Sequence, residues 1–282
     1  MLKIALPNKG SLSEDAVQLV RDAGYSCRRY ARELIVCDRE NDVEFVFLRP
    51  RDIAVYVSNG VLDLGMTGRD LAMDSEPDVV ELLSLGFGKS DFYYAVPKES
   101  SLTPEAFSDL RIATSYPDLV LRDLKRRNIE SEVIRLDGAV EISIRLGVAD
   151  VIADVVQTGK TMKQAGLKTV GESILKSEAV LIARSHKITA NNGAKLFLER
   201  LRGIVVARKY VIIEYDISEE ILKDACEITP GIESPTIAPL SKKGWVAVKA
   251  MGRKRDINRI MDELTRINAK GIIVTDIRTC RI

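Results

Sequence analysis

The 282-residue sequence contains one histidine, His186, and four scattered cysteines, Cys27, Cys37, Cys226 and Cys280. A Ser-His-Asp or Cys-His catalytic set would have to use His186, which lies in the polar connector ARSHKITANNG with no obvious orienting carboxylate. It reads as a solvated surface residue. The cysteines form no CxxC pair and have no histidine cluster beside them, which excludes the usual zinc spacings. They read as buried, reduced thiols of a cytoplasmic protein. Charge of one sign is missing too: 42 Lys and Arg stand against 41 Asp and Glu. No global field therefore favours nucleic acid or an anionic membrane, and any polyanion must be held locally. No stretch approaches the roughly 18 apolar residues of a membrane span. The start, MLKIALPNKG, has too short an apolar run and no small-residue cleavage site for an export signal, so a cytoplasmic location is expected.

What is present suits a large buried core: 46% of residues are hydrophobic and 29% charged, over a length that suggests two or three domains. LKIALP reads as a short buried strand and SLSEDAVQLVRDAGY as a helix, with Ser11 and Glu14 as a capping box and Gly24 as the stop. Strand-like runs follow in VEFVFL, VLDLGM, VVELLSL, FYYAVP, RIATS, EVIRL and DVIADVV, many separated by helical or turn segments. That alternation predicts an α/β chain with largely parallel, doubly covered sheets. There are too many strands for one comfortable sheet, so two lobes are expected, residues 1–96 with 180–208 and residues 97–179. The crossing between them is marked by Pro97 and Pro104, and the cleft is the default ligand site. Residues 209–282 read as β-α-β-β-α-β, the order of a ferredoxin-like unit.

The chemistry concentrates in DVIADVVQTGKT, Asp150 to Thr161. Thr158, Gly159 and Thr161 offer backbone N–H groups and hydroxyls where a helix begins, and Lys160 adds a positive charge, the physics of an anion site. The ending matches a Walker A loop, but that motif's first glycine falls on Asp154, whose carboxylate would repel the encircled phosphates. An acid ending a strand just before Thr-Gly-x-Thr suits a sugar phosphate better. The loop would hold the 5-phosphate, and the carboxylate would accept hydrogen bonds from ribose hydroxyls as positive charge develops at C1. A strand ending in an ordinary polar turn is the alternative.

The motif resembles the phosphoribosyl pyrophosphate signature of phosphoribosyltransferases, with the departure that Ala153 and Asp154 stand where many of those enzymes have two adjacent acids. Glu141 in LDGAVEISIRLG is a candidate second carboxylate. With LPNKGSLSE, FLRPRDIAVYV, LDLGMTGRDL, LGFGKSDFYYAVP, RIATSYPDLV and SEAVLIAR, the chain resembles the ATP phosphoribosyltransferases of histidine biosynthesis. The tail, EITPGIESPTIAPL to GIIVTDIRTCRI, is similar to the C-terminal domain of their long form.

The resemblance implies a two-lobed catalytic body like a type II periplasmic binding protein, followed by a ferredoxin-like regulatory domain. It implies transfer of the phosphoribosyl group from phosphoribosyl pyrophosphate to N1 of ATP, with magnesium (Mg2+) as cofactor and no assigned metal ligands. Thr158, Gly159, Lys160 and Thr161 would hold the 5-phosphate, while Glu141 and Asp154 face the ribose. Lys9, Gly10, Arg49, Gly68, Arg69, Asp70 and Tyr116 would line the nucleotide and pyrophosphate region, with Lys9 or Arg69 offsetting charge on the leaving group. Histidine would inhibit at Asp216, Ile232, Ser234, Thr236 and Gly271, between subunits of a homo-oligomer built from dimers to a hexamer. The competing reading is a bilobed small-molecule-binding protein without catalysis.

Overall fold

A computed structural model describes residues 1–30, 33–74 and 78–281. The chain divides into two compact units, Met1–Leu198 and Glu199–Ile282.

The first unit holds two sheets. Strands β1 (Leu2–Pro7), β2 (Ile35–Asp38), β3 (Val43–Leu48), β4 (Leu64–Gly68) and β5 (Val80–Ser84) form the first, completed by β11 (Ala179–Ala183), in the order β2-β3-β1-β4-β11-β5. Helices α1 (Ser11–Asp22), α2 (Pro50–Ser58) and α3 (Arg69–Asp74) follow β1, β3 and β4. Strands β6 (Ser90–Pro97), β7 (Arg111–Thr114), β8 (Glu132–Arg135), β9 (Val151–Val156) and β10 (Leu167–Ser177) form the second sheet, in the order β10-β6-β9-β7-β8. Helix α4 (Pro117–Arg127) joins β7 to β8, and α5 (Lys160–Gln164) joins β9 to β10. The chain crosses between sheets twice, after β5 and after β10, so the body is bilobed as expected. Strand β6 pairs with β9 and β10, which moves the lobe boundary from residue 96 to just before Ser90.

The sheets are mixed rather than largely parallel. Strands β3, β1 and β4 are parallel, as are β8, β7 and β9, but β6, β10 and β11 run antiparallel to their partners. The reason is topological: each crossing brings the chain into the next sheet as a strand against the βαβ direction, β6 in the second sheet and β11 in the first, and β2 adds an antiparallel edge beside β3. Each lobe has its own core. Ala5, Ile53, Ala54, Val57 and Ile182 pack in the first, and Phe92, Tyr94, Phe107, Ile112 and Val120 in the second. Each such large side chain stabilises by about 1.5–3 kcal/mol through burial.

Helix α6 (Asn192–Ala207) leads into the second unit, so the division at Leu198 falls inside a helix rather than at residue 208. Strands β12 (Tyr210–Ser218), β13 (Thr236–Pro239), β14 (Trp245–Arg253) and β15 (Lys270–Asp276) make an antiparallel sheet, β13-β14-β12-β15, with α7 (Leu222–Ile228) and α8 (Ile257–Arg266) in the connections. This is the expected β-α-β-β-α-β order. Strand β12 alternates strictly, with Val211, Ile213, Tyr215 and Ile217 buried against Ala225, Ile260 and Leu264, while the even positions face the open side of the sheet.

His186 is exposed in a short helical turn, as expected. All four cysteines are free thiols. Cys27 is buried, which pushes its thiol up to about 11, but Cys37 is exposed, contrary to the expectation of uniform burial. Among the described residues no helix is long and apolar enough to cross a membrane.

Candidate active site

Strand β9 delivers Asp154 to the second lobe's rim and then turns through Gln157, Thr158 and Gly159 into α5. Gly159 has φ +68°, in the left-handed region that favours glycine, and it caps the N-terminus of α5. The Lys160 N–H donates to the Thr158 hydroxyl at 3.5 Å, and the next amides of the first turn of α5 have no intrahelical acceptor, which leaves them for an anion. Glu141, Asp154, Thr158, Gly159, Thr161 and Met162 line a cavity of about 340 Å³. Lys160 is exposed and lies outside that lining. Glu141 sits in the turn Val140–Ile142, reached through Ala139 at φ +51°. The turn is pinned by buried Val140 and by the Ser143 hydroxyl, which donates to the Val140 carbonyl at 2.7 Å.

Asp154 is the electrostatically unusual group here. Burial is the largest influence on its carboxyl, and the charges of Glu141 and Asp70 act in the same direction, raising it to about 6 against one opposing hydrogen bond from the Val155 N–H. That bond measures 2.7 Å. A carboxyl that ionises near 6, in a cavity beside the start of a helix, combines a perturbed acid with an anion cradle.

The other side of the cleft comes from the carboxyl ends of β1, β3 and β4. Gly10, at φ +81° and with open space where a Cβ would stand, caps α1. No side chain caps that helix. Ser11 is its first residue rather than its cap, and Ser13 instead donates to the Pro7 carbonyl at 2.7 Å, so the expected capping box is absent. Lys9 and Arg49 are exposed, Arg49 standing just before α2. After β4, Gly68 leaves no room for a Cβ, which would lie 2.3 Å from Asp70 Oδ1. Asp70 is buried, takes the Ser177 hydroxyl at 2.6 Å, and receives a hydrogen bond from Tyr116 across the lobes. Burial first, then the charge and hydrogen bond of Asp70, push the Tyr116 phenol well above its ordinary range.

Asp70, Tyr116, Asp154 and Glu141 thus form one electrostatic cluster spanning the lobes, and the sequence reading named all four. Arg69 is already engaged by neighbouring carboxylates. Its guanidinium holds Glu81 through two 2.9 Å hydrogen bonds, reaches Ser84 and the Lys176 carbonyl, and lies 3.5 Å from Glu178. Its charge is already matched by two carboxylates, so it ties α3 to β5 and the second crossing rather than offering a free cation. Sequence reasoning missed Arg51, Asp74 and Ser177. Arg51 lies inside the quoted FLRPRDIAVYV, and no local pattern distinguishes it from a solvated helix residue.

Among the described residues, no group of three or more acids, cysteines or histidines could cage a metal ion. Two carboxylates, Asp154 and Glu141, do fit a cation carried in on phosphate oxygens, which is how magnesium is usually held.

In the second unit, Asp216 faces the open side of the sheet, paired with Lys270 and Ala247. Gly271, at φ +58°, would place a Cβ 3.9 Å from Asp216 Oδ2, so these two are neighbours. Thr236 lies on β13, across β14 from β12, roughly 10 Å from the Asp216 strand. Ile232 and Ser234 are exposed in the turn that Gly231 opens before β13.

A family model described as "HisG: ATP phosphoribosyltransferase" matches residues 49–203, and one described as "HisG, C-terminal domain" matches 207–279. The ATP phosphoribosyltransferase of Salinibacter ruber is 61% identical over 283 residues, covering all of both chains, and that of Nocardia farcinica is 53% identical over 281 residues, covering all of this chain and 99% of its own. Among solved structures, a chain of the ATP phosphoribosyl transferase (HisG:HisZ) complex from Thermotoga maritima is 26% identical, with a TM-score of 0.64 over 73% of this chain and 98% of that one. With both family segments in order and full-length relatives at more than half identity, this chain belongs to the ATP phosphoribosyltransferase family, transferases of the first step of histidine biosynthesis.

Proposed function

We propose that the cavity beside Gly159 binds the phosphoribosyl group and that Asp154 supports the ribose while N1 of ATP displaces pyrophosphate. The observation that carries this is the coincidence, in one cavity, of the left-handed glycine turn that starts α5 with a carboxyl held near 6. The amides of the Gln157–Thr161 turn, with the hydroxyls of Thr158 and Thr161, hold the 5-phosphate, and Lys160 draws it in. Ionised Asp154, with Glu141 beside it, accepts hydrogen bonds from the ribose hydroxyls and faces the positive charge that develops at C1. Asp70 and Tyr116, with Lys9, Gly10, Arg49 and Gly68 on the first lobe's rim, form the ATP side of the cleft. Alignment of N1 with C1 across the lobes then supplies much of the acceleration.

Asp154 and Glu141 are the residues that would hold magnesium arriving on the pyrophosphoryl oxygens, where it would offset charge on the leaving group. The protein works in the cytoplasm as a homo-oligomer. Histidine, bound at Asp216, Ile232, Ser234, Thr236 and Gly271 between subunits, inhibits it by favouring a less active arrangement.

The test is a pair of substitutions assayed by product absorbance in the near ultraviolet. Lys160→Ala should raise KM for phosphoribosyl pyrophosphate about tenfold with a smaller change in kcat, the signature of a lost binding charge. Asp154→Asn should lower kcat by about 100-fold, the usual scale for one preorganised electrostatic group. Normal kinetics in both would overturn the assignment.

A further inference from the structure

Between the lobes lies a second set of polar contacts that substrate chemistry does not explain. Asp74 ends α3 in the first lobe and is 2% exposed. One of its oxygens takes Arg51 Nη1 at 2.5 Å, and the other takes the Leu119 N–H, in the first turn of α4, at 3.2 Å. A carboxylate of one lobe therefore caps a helix of the other, where no side chain of the Tyr116 cap does so. Arg51, from α2, passes Nη2 to the Ser115 carbonyl at 2.6 Å and lies over the Tyr116 ring, 4.9 Å from its centroid. Arg122 on α4 donates to the Met73 carbonyl. Tyr116 is consequently fixed on all sides: Asp70 holds its hydroxyl, Arg51 covers one face, and Phe92 meets its edge at 5.2 Å.

We infer that Arg51 and Asp74 are positioning residues for ATP: they clasp the α4 start to the first lobe, and so set Tyr116 at the nucleotide side of the cleft. The inference rests on the reaction proposed above, and it separates the two substrates. The phosphoribosyl cavity is lined by β9, α5 and the Glu141 turn, all within the second lobe, so neither clasp residue lines it, although Asp70 and Tyr116 reach Asp154 through their charges. The ATP side draws Asp70 from one lobe and Tyr116 from the other, so it depends on how the lobes are held.

Arg51→Ala and Asp74→Ala should therefore leave the Kd of phosphoribosyl pyrophosphate for the free enzyme within about twofold, because neither residue lines that cavity, measured by calorimetric titration. The same variants should lose about tenfold or more in kcat/KM for ATP, the scale of a displaced substrate-positioning group. Arg51→Lys, which keeps a charge for Asp74 but gives up the planar contacts to Ser115 and Tyr116, should fall between. Should the alanine variants not fold, Arg51→Lys decides by the same split between substrates. Equal losses for both substrates, or no loss for either, would overturn the clasp. Failure of the unmodified enzyme to bind phosphoribosyl pyrophosphate would overturn the underlying reaction, and the clasp with it.

Discussion

Asp154 illustrates a conflict between stability and function at a single side chain. Its folded pKa, about 6, is raised by burial above the ordinary carboxylate range. Because the raised group binds its proton more tightly when folded, its stabilising contribution is complete below about pH 4 and is lost as pH rises through about 6. At neutral pH the half-buried carboxylate destabilises the free enzyme by about 1–3 kcal/mol. Asp154→Asn should accordingly raise Tm by several degrees at pH 7.5 and leave it nearly unchanged at pH 4, read by calorimetry, even as turnover collapses. In the unmodified enzyme, kcat/KM should climb with pH up to about 6 and then level, and the asparagine variant should lack that rising limb. A Tm difference that is the same at both pH values would show that the carboxyl is not held above its ordinary range in the folded enzyme. The sequence exposes Asp154 because an acid inside an apolar strand, followed by a glycine turn, is locally anomalous. It does not expose the matched state of Arg69: Glu81 and Glu178 lie 12 and 109 residues away in the chain and meet it only once β5 and β11 are side by side.

Elements were legible where one period dominates and illegible where it is broken. Strand β9 reads directly from its apolar run, and β12 shows the clean alternation of a half-buried strand. Strand β10 escaped because Gly171, Glu172 and Ser173 interrupt its pattern, and the structure places a bulge between Val170 and Leu175, with Gly171 at φ +71° against Pro104. Periodicity places helix α1 but not its start: Ser11 and Glu14 have capping-box spacing, yet the chain enters through Gly10 in a conformation that a serine cap would not adopt. The start at Gly10 has no side-chain cap and open space where a Cβ would stand, so a failed local rule here marks a proposed ligand-facing turn. Gly159 carries the same logic at the other wall. Gly159→Ala should destabilise by about 1 kcal/mol through its left-handed φ, and should weaken phosphoribosyl pyrophosphate binding further as the turn relaxes; an unchanged Kd would detach the turn from the phosphate.

At the scale of the molecule, the bilobed body and the β-α-β-β-α-β unit followed from the order of elements, whereas the lobe boundary before Ser90 depended on long-range pairing of β6 with β9 and β10. The regulatory proposal belongs to this scale, because an effector in the second unit acts on catalysis only through a shift between conformations. Asp216→Ala should raise the histidine concentration for half-inhibition by about tenfold, by removing one charge-assisted contact. Inhibition that is indifferent to Asp216 would place the effector elsewhere. The central claim is nonetheless local, and the most direct measurement is a crystal structure of the enzyme with phosphoribosyl pyrophosphate bound. The 5-phosphate should lie within hydrogen-bond reach of the amides between Gln157 and Thr161, with the ribose hydroxyls on Asp154. A phosphate seated in any other crevice, with that turn free of ligand, would contradict the account.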